Sequence, residues 1–196
     1  MSGSRGRPGV TSHGEIEQVA FRLFAERGFA ATTLDAIAAE LGIGRRTLFR
    51  YYRSKNDIPW GQFDRTLVGF REVLDAQPTE LPLHEAVHRG VVAFNEFPED
   101  ARPPHRERMR LILTTPELQA HSVLRYQEWR RVIAEYVARR TGAAPEDLLP
   151  RVVGQVSLAL ALAAYDVWLA DDTTPIPVLI DRAMHHLRAH LDAPTR

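Results

Sequence analysis

Apolar side chains recur along this chain about every 3.6 residues, the period of an α-helix. Ile16, Val19, Ala20, Leu23 and Phe24 form one stripe, and Gly28 supplies a helix stop. A second short helix starts from an N-cap at Thr33, with Leu34, Ile37, Ala38 and Leu41 as its inner face. Gly42–Ile43–Gly44 breaks the chain, and a third helix runs from about Arg45 to Tyr51. Ser54 with Asp57 three residues on is a capping-box start for a fourth helix that reaches about Ala76. Pro59 removes one of its backbone donors, and Gly61 softens it. Beyond a linker bracketed by Pro78 and Pro82, helical patterns resume at about 83–97, 104–114, 116–140, 146–170 and 176–191. No segment alternates as a strand does, so the pattern predicts an all-α protein.

Composition narrows the function. The 196 residues are 44% hydrophobic and 26% charged, which is ordinary for a soluble globular chain. Cysteine is absent, which excludes disulfides, thiol nucleophiles, iron–sulfur centres and Cys-type zinc sites. No uninterrupted apolar run reaches the eighteen or so residues of a membrane helix, and the nearest, Val156 to Ala170, carries Ser157 and Asp166. Met1 to Val10 has Arg5 and Arg7 but no apolar segment after them, unlike a secretory signal. The expectation is a soluble cytoplasmic protein with no membrane contact.

Charge is uneven although its total is zero. Residues 1–55 hold nine basic and five acidic side chains, net +4; the remainder holds 16 basic and 20 acidic, net −4. A basic end on an acidic body suggests a polyanionic partner for the first quarter.

That quarter holds a helix, a tight Gly turn and a second short helix, the helix-turn-helix pattern. Ile37, Ala38, Leu41, Ile43 and Leu48 lock the two helices at a fixed angle. The outer face of the second helix then offers Arg45, Arg46, Thr47 and Arg50 to a major groove about 12 Å wide. Arginine clamps a guanine edge with two bonds or holds a phosphate.

The stretch Phe24 to Ile58, FAERGFAATTLDAIAAELGIGRRTLFRYYRSKNDI, resembles the DNA-binding domain of the TetR family of bacterial regulators. The resemblance implies a homodimer with three DNA-binding helices and a larger C-terminal domain that binds a small effector and supplies the dimer interface. It divides the chain into a flexible basic tail (1–12), a DNA-binding domain (13–58) and an effector-binding and dimerisation domain (59–196). It also implies a phosphate contact at Thr33, base contacts from Arg45, Arg46 and Thr47, and a phosphate grip by Lys55, the only lysine in the chain. Two positions depart from the family pattern. Phe49 stands where a Tyr is usual, which loses a phenol-to-phosphate bond that Tyr51 or Tyr52 would have to supply. Arg46 replaces a common Gly and adds a charged reader. Arg5 and Arg7 are read either as a minor-groove arm or as a plain disordered tail. A narrower resemblance lies in GRRTLFRYYRSKNDIPWGQFD (44–64) and RERMRLILTTPELQAHS (106–122), which are similar to the mycofactocin-system subgroup of TetR regulators. That subgroup accompanies the biosynthesis genes of a peptide-derived redox cofactor.

The larger domain carries an apolar stripe that reads first as core. The resemblance implies an effector cavity within it, with Phe94, Met109, Leu113, His121, Arg125, Trp129, Tyr165 and Trp168 as candidate liners. Their character suggests an apolar effector with one polar end, and a fatty-acyl ligand fits the stripe together with Arg106, Arg108 and Arg110. The segment 148–169 is apolar on almost every side, notably at Val156, Leu158, Leu160, Leu162 and Val167, so it needs partners all round. With Val178, Leu179, Ala183, Leu187 and Leu191 it would form a four-helix seam across a two-fold axis. His186 with His190, and Asp181 with His185, sit four apart as metal ligands can, but the sequence offers no third ligand, so no metal site is expected. No catalytic triad, phosphate loop or carboxylate pair stands out, so neither an enzyme nor a cofactor is expected. The alternative function is a helical carrier of an apolar molecule that makes no functional DNA contact.

Overall fold

The computed structural model describes residues 11–171 and 173–193. The expected tail, with Arg5 and Arg7, falls outside the described residues except for Thr11 and Ser12. Ser12 caps the first helix, and the Thr11 carbonyl accepts the Tyr51 hydroxyl at 2.5 Å. The described residues are helical and contain no strand. The chain divides into two compact units, residues 1–62 with 99–120, and residues 63–98 with 121–196.

The first unit starts with α1 (His13–Arg27). Ser12 and Glu15 form a reciprocal capping box at its start, and Gly28 closes it with its N–H on the Phe24 carbonyl at 2.9 Å. The buried Thr32 hydroxyl ties the following turn to the Gly28 carbonyl at 2.9 Å. Helix α2 (Leu34–Glu40) begins at Thr33, whose Oγ1 accepts the Ala36 N–H at 3.1 Å, the cap its sequence calls for. Gly42, at φ +65°, turns the chain, and Ile43 N–H reaches back to the Ala38 carbonyl at 3.0 Å. Helix α3 (Arg45–Leu48) is shorter than expected. Its last donors switch to three-residue steps, Arg50 to Thr47 and Tyr51 to Leu48, so residues 49–51 continue as tight turns. Ile16, Leu23, Ile37 and Leu48 are fully buried and, with Phe24, Phe29 and Ile58, hold the three helices together.

The fourth helix is two pieces, not one. A 3-10 helix (Lys55–Trp60) starts with the expected Ser54–Asp57 capping box. It stops at Gly61, where φ is +56°, and α4 (Phe63–Asp75) begins after Gln62. Pro59 has no N–H to give an α-helical ladder, so the first piece keeps to shorter i→i−3 bonds, and Gly61 supplies the positive φ that ends it. Helix α6 (His105–Thr114) and the first turn of α7 (Pro116–Thr141) also pack in the first unit, although the sequence places them in the larger domain.

In the second unit, α4 packs on α5 (Leu83–Phe94), α8 (Leu148–Ala170) and α9 (Ile176–Asp192) pack on each other and on α5, and α8 approaches α7 at Gly154, beside the Arg130 carbonyl. Phe70 stacks on Trp129 at 5.4 Å between ring centres, and Phe94 lies 4.7 Å from Phe70. Helix α8 spans 23 residues and, with no proline break after Pro150, is long and apolar enough to cross a membrane by length and composition alone, beyond the run expected from sequence. One of its faces (Gly154, Ser157, Leu158, Ala161, Ala164, Tyr165) is buried in the unit. Val152, Val156 and Val167 are exposed. Leu158 therefore belongs to the inner face and not to an outward seam.

Candidate nucleic-acid interface

The second helix of the pair is fixed from below and free above. Leu48 is 0% exposed and anchors it, whereas Arg45, Arg46, Phe49 and Arg50 are exposed and Thr47 is half-buried. A rod of four helical residues can direct its charge outward because its one long apolar side chain is fully sunk in the core. The Arg45 guanidinium lies 5.4 Å from the centre of the Phe49 ring and 3.2 Å from Asp35, with both charged side chains more than 60% exposed. An ion pair this exposed contributes little and exchanges readily for another anion. Thr33 accepts the Ala36 N–H, which leaves its hydroxyl proton free to donate from the helix N-terminus.

Two expected contacts move inward. Tyr52 is 3% exposed and donates to Glu17 Oε1 at 2.6 Å; burial and the Glu17 carboxylate push its phenol far above the ordinary range. It is a core residue and does not reach a phosphate. The Tyr51 hydroxyl gives its single proton to the Thr11 carbonyl, so it does not replace the phenol missing at Phe49. Lys55 is half-buried. Its Nζ donates to the carbonyls of Phe29 at 2.7 Å and Ala30 at 3.3 Å and sits 4.3 Å from the centre of the Phe29 ring. One of its three donors remains for another partner. Partial burial lowers its pKa, and the Glu117 charge opposes that shift.

Sequence reasoning missed a buried ion pair behind this surface. Glu17 on α1 is 7% exposed, and Arg108 on α6 donates from Nη2 to Glu17 Oε2 and from Nη1 to the Pro59 carbonyl at 2.6 Å. The guanidinium also lies 5.3 Å from the centre of the Phe21 ring. Arg108 is therefore committed here and does not form the polar end of an effector cavity. The only signal in the sequence was a glutamate next to the apolar stripe at Ile16, in line with Phe21 and Phe24.

The candidate pocket liners separate. Met109 and Leu113 are half-buried in the first unit, and the other six belong to the second. Trp129 and Tyr165 are core residues at 4% and 5% exposure, and Phe94 packs on Trp129. The Tyr165 hydroxyl donates to buried Asn95 Oδ1 at 2.8 Å, and half-buried Trp168 meets the Tyr165 ring edge-on at 5.8 Å. Arg125 pairs with Asp64 at 3.1 Å and Glu128 at 3.3 Å over the Phe63 ring, and His121 is half-buried near the start of α7. On the last helix, Asp181 and His185 do have a third companion, His88 of α5.

Comparison with known proteins agrees with this arrangement. Residues 16–58 match the family model for bacterial regulatory proteins of the tetR family, and residues 81–192 match the MftR C-terminal domain. The chain is 44% identical over 187 residues to a Mycobacterium tuberculosis protein proposed as the mycofactocin biosynthesis transcriptional regulator MftR, covering 95% of this chain and 94% of that one. Among solved structures it is similar to the fatty acid degradation regulator FadR from Bacillus halodurans (TM-score 0.65, 16% identity, 93% and 97% of the two chains). It is also similar to Thermus thermophilus FadR, a transcriptional repressor solved in complex with lauroyl-CoA (TM-score 0.60, 19% identity, 94% and 97%). At these identities the structures speak for the fold, and the sequence matches speak for descent. An outward arginine-bearing helix on a sealed three-helix core, matched across both halves of the chain, identifies this protein as a member of the TetR family of DNA-binding transcriptional regulators, with a C-terminal domain of the MftR type.

Proposed function

We propose that this regulator is a homodimeric repressor of a palindromic operator, released by an apolar small-molecule effector and acting on mycofactocin-related genes in the cytoplasm. Residues 13–58 would bind DNA, and residues 59–196 would bind effector and partner subunit. The observation that carries the reading is the outward face of α3. Arg46 and Arg50 have open guanidinium groups, and Arg45 holds only an exposed, exchangeable partner in Asp35.

In a dimer, two such helices enter successive major grooves roughly 34–36 Å apart. Arg45, Arg46 and Thr47 read base edges there, Arg50 and the Phe49 ring flank them, and Thr33 and the remaining Lys55 proton hold phosphates. The exposed stripe Val152, Val156 and Val167 of α8, with Val178 and Leu191 of α9, supports a dimer seam through the last two helices. The effector class is fatty-acyl, with half-buried Phe94 and Trp168 as the aromatic candidates for its lining in the second unit. Lauroyl-CoA bound to a protein of similar fold favours that class. Release is a population shift: the effector prefers the state whose recognition helices no longer match the grooves. The break at Pro59–Gly61, one residue before the boundary of the two units, is the place for that bend.

A gel-shift series at several salt concentrations, on DNA from upstream of the protein's own coding region, tests this reading. Affinity should fall steeply with salt as phosphate counterions are released. Arg46→Ala should relax sequence preference at one base pair by about 1–3 kcal/mol, while Lys55→Ala should weaken all sequences alike. If neither substitution changes DNA affinity, the chain is a carrier and not an operator-binding regulator.

A further inference from the structure

Helices α5 and α9 of the second unit face each other across a group of imidazoles. His88 Nε2 lies 2.8 Å from Asp181 Oδ1. His185 Nδ1 lies 2.9 Å from the Asp181 carbonyl oxygen and 3.4 Å from Asp181 Oδ2. The two rings meet edge to face at 4.9 Å between centres. One ligand atom from each of the three residues lies within 4.8 Å of the other two. Arg188, three residues beyond His185 on α9, is turned to His84 Nε2 at 2.8 Å and towards Asp192 and away from these donors.

We infer that His88, Asp181 and His185 form a binding site for a divalent transition-metal ion of the class that prefers imidazole, with Zn2+ as its representative. Two imidazoles and one carboxylate are the donor set of three-ligand zinc sites, whose fourth position is left to water or another ligand. Bonds of about 2.0–2.2 Å at tetrahedral angles place donors roughly 3.3–3.6 Å apart. The separations here run from 2.8 Å between His88 Nε2 and Asp181 Oδ1 to no more than 4.8 Å, so closing on an ion takes an adjustment of these side chains. Asp181 and His185 stand at i and i+4 on one helix, the spacing that converges two ligands on one metal in helical zinc motifs. His88 supplies the third ligand from the facing helix.

Burial suits the role. The His88 side chain is 13% exposed, whereas Asp181 is 49% and His185 64% exposed, so the donors are held from behind and open to water in front. A single hydrogen bond between His88 and Asp181 would account for two of these residues. His185 is held beside them by its own bond from Nδ1 to the Asp181 carbonyl, one turn back on α9. The ion would staple α5 to α9, two elements 93 residues apart in sequence at this contact. The site lies in the second unit, and the inference does not depend on the DNA-binding reading.

The test is calorimetric titration of Zn2+ into the untagged full chain, freed of metal by chelator, with melting temperature followed in parallel. One Zn2+ per chain is expected, with a raised Tm. Asp181→Asn and His185→Gln should each weaken binding at least tenfold and remove the Tm gain, as should His88→Gln. His186→Gln and His190→Gln, on the same helix outside the cluster, should leave both unchanged. Should the more buried His88→Gln chain fail to fold, the two exposed ligands decide the matter. No zinc binding up to submillimolar concentration overturns the inference. So does affinity that survives Asp181→Asn and His185→Gln, or affinity lost equally in His190→Gln.

Discussion

Arg108→Met is the sharpest probe of what holds the first unit together. The substitution keeps an apolar stem of similar reach but removes the guanidinium that bonds Glu17 and the Pro59 carbonyl. Glu17, 7% exposed, is left with a single donor, the Tyr52 hydroxyl at 2.6 Å. Removing one member of a buried ion pair costs about 3–5 kcal/mol, because the surviving charge stays out of water without its counterion. Partial access of solvent to Arg108, whose side chain is 18% exposed, places the expectation at the lower end, about 3 kcal/mol. Glu17→Gln combined with Arg108→Met removes both charges, so the pair should cost less than the sum of the two single changes by roughly 1–3 kcal/mol. Urea unfolding followed by far-UV circular dichroism, at one fixed protein concentration, gives all four corners of the cycle. A loss below about 1 kcal/mol for Arg108→Met, or strict additivity in the double variant, would refute the view that this pair is buried and coupled.

Three further outcomes are expected. Gly90→Ala should destabilise the second unit by about 1–3 kcal/mol, because the added carbon would lie 2.3 Å from Leu74 Cδ2; shortening Leu74 to Val should recover part of the loss in the same unfolding assay. Burial, with Arg108 beside it, pushes the His105 imidazole down to about 3. The unfolded chain takes up that proton near pH 6.5, so between these values the unfolded state binds more protons and stability falls as pH drops. His105→Gln should flatten that part of the Tm–pH curve, and an unchanged slope would assign the acid sensitivity elsewhere. Val156→Glu with Val167→Glu should convert the proposed dimer to monomer in size-exclusion chromatography, whereas Val68→Glu, comparably exposed on α4, should not; dimerisation that survives the paired change rejects the α8 seam.

The order and extent of most helices were legible in the sequence because their signals are local. Thr33, Gly28 and the Ser54–Asp57 box act within three or four residues of themselves, and each is found in its expected place. The orientation of α3 was legible for the same reason: one leucine among arginines leaves a short helix little choice of face. Tyr52 was misjudged because its partner, Glu17, lies 35 residues away, and an aromatic next to a basic run looks alike whether it faces inward or outward. The single fourth helix failed where two weak breakers acted together, since Pro59 and Gly61 each permit a helix but jointly end one. His88 was invisible as a companion of Asp181 because only the packing of α5 on α9 brings them together. The expected pocket was the least legible feature. An apolar stripe describes core and cavity alike, and Trp129 and Tyr165 are core.

The basic surface of this regulator is written almost wholly in guanidinium, which lysine acetylation cannot neutralise. Its single side-chain amine, at Lys55, lies under the Phe29 ring with two carbonyls on its nitrogen. Apart from the α-amino group, an amine-reactive dye or cross-linker therefore has one address on the whole chain, beside the turn that leads into α2. Labelling at that address reports the packing of this turn without touching the arginines that face outward.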